Sequence, residues 1–275
     1  MKRLSILKKK KNFKFFKIDI SNYNRLNLIF KKHNINLIIN FAAQAGVRYS
    51  IMHPKEYMDS NVLGLFNIFE MARIYNITKV LYASSSSVYG EQKSYPVNEN
   101  VKLLPKNIYA LSKKNNEEIA KIYFNYYKIK SIGLRFFTVY GEWGRPDMLM
   151  LKYILAKYNN KIFTLNNNGN HYRDFTYIQD VVKILNKIIF IKFDGSDILN
   201  ICSNTPISVK KVLKFIDINY GKPKIKHQKK LNVEVLKTHG SNAKLIRLLN
   251  FKKFTKIDRG MENLIMWAKN NINLI

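Results

Sequence analysis

The chain has 275 residues, 47% of them apolar, and a formal net charge of +30. That excludes a disordered tail protein and a small disulfide-stapled domain, and leaves room for one large α/β core or a core with a smaller lobe. No apolar run approaches the roughly 18 residues that span a bilayer, and MKRLSILKKKK lacks the apolar centre and cleavage site of a secretory leader.

The lysines are scattered (Lys8–Lys11, Lys31–Lys32, Lys113–Lys114, Lys210–Lys211, Lys229–Lys230) and form no single stripe. The charge therefore reads as compositional bias rather than a specific nucleic-acid surface, with a basic nucleic-acid binder kept as the alternative. A basic surface still steers anionic ligands toward the protein. Cys202 is the single cysteine, so no internal disulfide can form, which fits a reduced cytoplasmic protein. His33, His53, His227 and His239 show no metal-ligand spacing, and no metal is expected.

Strand-like and helix-like segments alternate. FKFFKIDI (13–20) and LIINFAA (37–43) are short apolar runs that predict buried strands. Residues 59–76 predict an amphipathic helix, with Val62, Leu65, Phe66, Phe69 and Met71–Ala72 near a 3.6 period. KVLYAS (79–84) predicts a strand, Tyr109–Tyr127 a long helix and SIGLRFF (131–137) another strand. DFTYI (174–178) leads into a helix from about Gln179, and ILNI (198–201) is a short strand. Ser208 is placed to cap a helix through Ile216, and Asp258–Asn271 predicts a final helix.

The alternation predicts an α/β fold with a doubly wound, Rossmann-like parallel sheet and a smaller C-terminal substrate lobe. The expected division is 1–138 plus about 171–201 for the nucleotide-binding part, and 139–170 plus 202–275 for the lobe. Ligands of such sheets bind beyond the carboxyl ends of the strands. Asp19, Ala42–Gln44, Ser84–Ser87 and Thr138 fall at those ends.

The chemistry-bearing pattern is a serine-rich strand end, Ser84–Ser87, followed by a helix with Tyr109 four residues before Lys113. Residues i and i+4 share a helix face. An ammonium beside a phenol favours the phenolate and makes a general base. The spacing alone is cheap, because Tyr75, Tyr89, Tyr126 and Tyr220 also precede a lysine by four. What singles out Tyr109 is its context: Pro105 and Asn107 before it, a helix after it and the serine cluster upstream. Trp143 and Trp267 read as packing residues, and His171 as a loop residue. Arg48 reads equally as a surface ion-pair former or a substrate contact.

FAAQAGVRYS (41–50), DSNVLGLFNIFE (59–70), YASSSSVYG (82–90), YALSKK (109–114), LRFFTVYGEWGRPDM (134–148) and RDFTYIQD (173–180) occur in one order. In these the chain resembles the extended short-chain dehydrogenases/reductases, within them the NAD-dependent epimerase/dehydratase family, over nearly all of residues 10–210. GVRYS and the TVYG-x-WGRPDM run are similar to the UDP-glucuronate 4-epimerase branch. The resemblance implies an NAD-dependent epimerase acting at C4 of a UDP-sugar through a 4-keto intermediate, most simply UDP-glucuronate to UDP-galacturonate. It implies Tyr109 as the base, Lys113 as its tuner and nicotinamide-ribose holder, and Ser85 as the orienting hydroxyl. Asp19, Ile20, Ala42, Ala43, Gln44 and Asn61 would line the cofactor path, and Ser86, Ser87, Thr138, Arg145 and Arg173 the sugar nucleotide. It also implies a homodimer through helices 59–76 and 109–127.

The sequence departs from the family's pattern twice. No glycine precedes Gly46, and Lys2–Leu7 matches the segment after the family's second strand. The first strand, the GxxGxxG turn, its helix and the second strand are thus expected to be lacking, leaving strand edges unpaired. Where the family carries Ala-Asp near the last nucleotide contacts, this chain has Gly240–Ser241. The alternatives are a catalytically dead, truncated remnant or another epimerase/dehydratase of the family.

Overall fold

A computed structural model describes residues 2–229 and 234–274. In chain order the helices are α1 (Lys2–Lys8), α2 (Tyr23–Lys32), α3 (Tyr49–Met52), α4 (Pro54–Tyr57), α5 (Gly64–Ile74), α6 (Ile108–Tyr127), α7 (Leu149–Tyr158), α8 (Ile178–Phe190), α9 (Val209–Tyr220), α10 (Ala243–Leu249) and α11 (Ile257–Asn271). The strands are β1 (Ile38–Asn40), β2 (Lys79–Ser85), β3 (Lys130–Phe136), β4 (Thr138–Tyr140), β5 (Phe163–Asn166), β6 (Tyr172–Tyr177), β7 (Ser196–Ile201), β8 (Pro206–Ser208) and β9 (Ile225–Gln228).

The main sheet is parallel, in the order β1-β2-β3-β7. Both of its faces are covered, which is why β2 and β3 read as near-continuous apolar runs. Side chains alternate across the pleat. Val80 and Tyr82 of β2 join a core with Leu26, Phe30, Leu65, Phe69 and Tyr123 from α2, α5 and α6. Leu81 points the other way, into a core with Val181, Ile184 and Ile188 of α8 and Leu245 and Leu249 of α10. A separate core fills the lobe, where α7, α9 and α11 pack around Tyr153, Phe163, Phe175 and Leu264. Two small sheets belong to that region: β4-β6-β8, and the parallel pair β5-β9.

Most expected elements form where their periodicity placed them, but several expectations need correcting. Residues 13–18 are extended yet unpaired, not a strand, and Phe15 and Phe16 stay exposed. A strand needs a neighbour for its N–H and C=O groups, and among the described residues the outer edge of β1 pairs with nothing. For the same reason the second strand shrinks to three residues, with Phe41 exposed beyond it. Ser208 does occupy the N-cap of α9, but its side chain makes no cap hydrogen bond. The helix also runs past Ile216 to Tyr220, where Gly221, at φ 101°, ends it.

Residues 58–74 bury the expected face but do not form one uniform helix. Met58–Leu63 is a π-helical turn that continues into α5. Such turns are rare and gather at functional sites. This one aims Asn61 inward, where it is 1% exposed. No helix among the described residues is long and apolar enough to cross a membrane.

Candidate active site

The site is built where the carboxyl end of β2 meets helix α6. Asn107 caps α6, its side chain accepting from the Ala110 amide at 2.9 Å, so the helix starts with Tyr109 in its first turn. Tyr109, Lys113 and Glu117 then follow at intervals of four and share one face. Three consecutive residues of β2 meet them. Ala83 O accepts from Lys113 Nζ at 2.8 Å. Ser84 Oγ donates to Glu117 Oε1 at 2.5 Å. Ser85 hydrogen-bonds the Tyr109 phenol. The serine cluster then turns into a short 3₁₀ helix, Ser86–Tyr89, with Ser85 Oγ accepting from the Ser87 amide at 3.1 Å.

Burial pushes the Tyr109 phenol above its ordinary value, while the Ser85 hydrogen bond and the charge of Arg145 pull it down. The free protein thus holds Tyr109 protonated at neutral pH. The expected partner in lowering it was Lys113, yet Ser85 and Arg145 are the groups that act. Lys113 is 3% exposed, and burial brings its ammonium down to about 8.

Behind these residues lies a buried charge network. Glu117 receives Arg135 Nε at 2.9 Å and Nη2 at 2.7 Å. Arg135 Nη1 reaches Tyr89 Oη at 2.9 Å and Glu99 O at 3.0 Å, and Tyr89 Oη donates to Asn200 at 2.6 Å. The helix is thereby fixed to three strands of the sheet.

On the other side of Tyr109 stand Tyr57 and Arg145. The Tyr57 and Tyr109 rings meet edge-on at 6.0 Å. Tyr57 Oη donates to Gly46 O at 2.6 Å, and burial raises its phenol to about 12. Gly46 has φ 114°, and a Cβ there would lie 4.0 Å from Arg145 Nη2. Arg145 forms a two-pronged ion pair with Asp147, Nε to Oδ1 at 3.0 Å and Nη2 to Oδ2. The Gln44 backbone is held at both ends by Asn61, whose Oδ1 accepts from its amide at 2.7 Å and whose Nδ2 donates to its carbonyl at 3.0 Å. Asn61 Nδ2 also reaches Ser112 Oγ of α6 at 3.0 Å, tying the Ala42–Gln44 loop to the tyrosine-bearing helix. Asp19 accepts from the Ser21 amide at 2.9 Å, which keeps its carboxyl below the usual range. Ile20 packs against the α5 side, its carbonyl accepting from Asn67 at 2.9 Å.

A cavity of about 240 Å³ opens beside β4, β5 and β6, lined among others by Thr138, Asn166, His171, Arg173, Arg48 and Glu234. Arg173 is tethered to backbone carbonyls, Nη1 to Leu236 O at 3.0 Å and Nη2 to Val235 O at 2.9 Å, and burial lowers it to about 10. Arg48 pairs with Glu234 and also lines the cavity, so both readings of it have a basis. His171 is buried in the wall. Gly240 is packed against Phe137 and Cys202, where a Cβ would collide, and its amide donates to Asp174 at 3.1 Å. Trp143 and Trp267 pack on each other at 5.3 Å.

The tyrosine and lysine thus share one helix face against the serine-bearing end of β2. Comparison with known proteins gives the family. The family model described as GDP-mannose 4,6 dehydratase matches residues 1–264. The chain belongs to this family, the NAD-dependent epimerases and dehydratases. Among curated relatives, UDP-glucuronate 4-epimerase of Thermodesulfobacterium geofontis is 37% identical over 99% of this chain and 84% of its own length. Protein CapI of Staphylococcus aureus is 37% identical over 94% of this chain and 83% of its own. The crystal structure of UDP-glucuronic acid 4-epimerase from Bacillus cereus, in complex with UDP-glucuronic acid and NAD, superposes with a TM-score of 0.89. That similarity carries 26% identity over 98% of this chain and 85% of that one.

Within this epimerase/dehydratase fold, the sequence reading missed Glu117, Arg135, Glu234 and Asp147. Arg135 did leave a signal. It is a cation inside the apolar strand SIGLRFF, and a buried charge demands a partner. Glu117 and Glu234 carry no local signal, because their roles arise only from contacts made by folding, while Asp147 stands two residues after Arg145.

Proposed function

We propose that the chain inverts C4 of UDP-glucuronate, giving UDP-galacturonate through a 4-keto sugar. The observation that carries this reading is the Tyr109 phenol, hydrogen-bonded by Ser85 at the end of β2 and within reach of the Arg145 charge. In this reading Ser85 orients the C4 hydroxyl, and Tyr109 takes its proton as the carbon is oxidised and returns a proton as the carbonyl is reduced. The burial that raises the phenol is opposed by Ser85 and Arg145, which moves the base toward its working range. Arg145, with Ser86 or Ser87, holds the C6 carboxylate, a guanidinium fork being matched to a carboxylate. Thr138 faces the sugar, and Arg173 the diphosphate in the adjoining cavity. We assign the sugar nucleotide to the lobe of residues 139–170 plus 202–275 and the cofactor to the remainder.

The residues present fit the nicotinamide-ribose end of a dinucleotide. An ammonium has three N–H donors, and Ala83 O takes one from Lys113, so a ribose diol can take others. Asp19 and Ile20 would meet the adenosine, and Ala42, Ala43 and Gln44, braced by Asn61, the stretch between. Bound NAD would supply the hydride acceptor and donor and, through its cationic ring, a charge beside the phenol. The burial that holds the Tyr109 phenol above its ordinary value favours one second reading, a sugar-nucleotide binder without turnover.

One experiment separates the two. The full chain is incubated with saturating NAD⁺ and UDP-glucuronate, and C4 inversion is followed by NMR. The first reading expects UDP-galacturonate to accumulate, and Tyr109→Phe to slow it by ~10²–10⁴-fold. Binding of UDP-glucuronate with no inversion at any NAD⁺ concentration would leave the binder. Inversion of UDP-glucose but not of UDP-glucuronate would overturn the uronate assignment.

We further propose a homodimer through the outer faces of α5 and α6, where Phe66, Ile74, Ile122 and Tyr126 lie exposed. Sedimentation should show a dimer that Ile122→Glu dissociates. The lone free cysteine, Cys202, suits the cytoplasm as the place of work.

A further inference from the structure

Arg145 is already occupied by a carboxylate of its own chain. Asp147 takes Nε and Nη2 in a two-pronged pair, the side-on fork that a sugar carboxylate would also use. Burial pushes the Asp147 carboxyl up, but the hydrogen bond and charge of Arg145 outweigh it and hold it ionised below its ordinary value. The pair is therefore neutral as a unit, although Arg145 lies beside Tyr57 and Tyr109 and acts on both phenols. Both partners are about half exposed, at 43% and 57% of their side chains, so water can solvate Asp147 once it lets go. An exposed ion pair of this kind is weak and exchangeable.

We propose that Asp147 is a resident competitor that sets sugar specificity: it holds Arg145 until the C6 carboxylate of a uronate replaces it. The inference rests on the reading of Arg145 as the carboxylate holder. A neutral hexose has nothing to exchange for Asp147 and leaves the pair closed. A uronate gains only the difference between two carboxylates on one guanidinium. Discrimination between the two sugars is thus set by Asp147 as much as by Arg145.

The test is calorimetric titration of UDP-glucuronate and UDP-glucose into the full chain with saturating NAD⁺. It is done in a Tyr109→Phe background, so that no sugar is turned over. Asp147→Asn is expected to tighten UDP-glucuronate by roughly two- to fivefold, the range of an exposed ion pair, and to leave UDP-glucose unchanged. Asp147→Glu, which keeps the carboxylate, is expected to stay near the parent for both sugars. Added salt should shrink the gain. If Asp147→Asn binds UDP-glucuronate no more tightly than the parent, or more weakly, Asp147 orients rather than competes and the inference fails. Arg145→Ala separates that failure from failure of the underlying reading. Should it lose sugar discrimination while Asp147→Asn changes nothing, only the competitor is refuted. Should it discriminate as the parent does, or should the parent bind neither sugar, both fall.

Discussion

Arg135–Glu117 and Arg48–Glu234 are both arginine–glutamate pairs, yet they sit in opposite surroundings. The first lies between sheet and helix with its side chains 4% and 2% exposed, and every prong is engaged. The second lines the cavity, with Arg48 47% and Glu234 11% exposed, so only its arginine faces water. A buried pair cannot be broken without stranding a charge, whereas an exposed one exchanges with water at little cost. The contrast separates a rigid frame, which holds Tyr109 against Ser85, from a rim that can open to a ligand.

That comparison can be broken at several points. The largest effect is expected from Glu117→Leu, which leaves Arg135 buried and unpaired and should cost about 3–5 kcal/mol in denaturant unfolding. The Glu117→Leu, Arg135→Met double variant should recover most of that loss, because packed apolar groups replace a buried pair at little cost. A double variant as unstable as the single one would show that the pair contributes more than mutual compensation.

Lys113→Met should act with the opposite sign. The folded ammonium titrates at about 8 and the unfolded one near 10.4, so at pH 7 the folded state carries a cation that burial disfavours. Removing it, less the lost bond to Ala83 O, should stabilise the protein by about 2 kcal/mol at pH 7. The cost is full below pH 8 and fades between 8 and about 10.4, so the variant's advantage should shrink as pH rises through that window. An advantage constant with pH would show that burial does not lower Lys113 in the fold. Tyr57→Phe, which leaves Gly46 O only the bond from the Ser50 amide at 3.2 Å, should cost about 1 kcal/mol. Arg48→Ala should cost least, below about 1 kcal/mol in thermal unfolding at moderate salt. A larger loss would move the rim pair into the frame.

The frame was more legible in the sequence than the rim. KVLYAS, the helix from Tyr109 and SIGLRFF announced themselves because a strand buried on both faces is apolar throughout and a capped amphipathic helix has a period. Tyr109, Lys113 and Ser85 followed, since their spacing on a helix and at a strand end fixes them together. The apolar run 13–20 misled for a physical reason: apolar content makes a segment fit for a sheet but supplies no neighbour to pair with. Glu117 was hidden beside Glu118, two carboxylates differing only in the face they present. Glu234 was invisible, because it is defined by an arginine that only the fold brings to it, whereas Asp147 stands two residues from its arginine and was passed over.

The π-helical turn at Met58–Leu63 has a consequence for how this protein can change. A π turn is an α turn with one residue too many, so its phase differs from that of the helix that follows. Deleting one residue there would let the turn relax to α geometry while the buried side of α5 stayed in place. Asn61 would then swing about a hundred degrees around the axis, letting go of Gln44 and Ser112 together. Every point substitution in that turn other than at Asn61 preserves the residue count, so the bracing amide keeps its phase by arithmetic as well as by contacts.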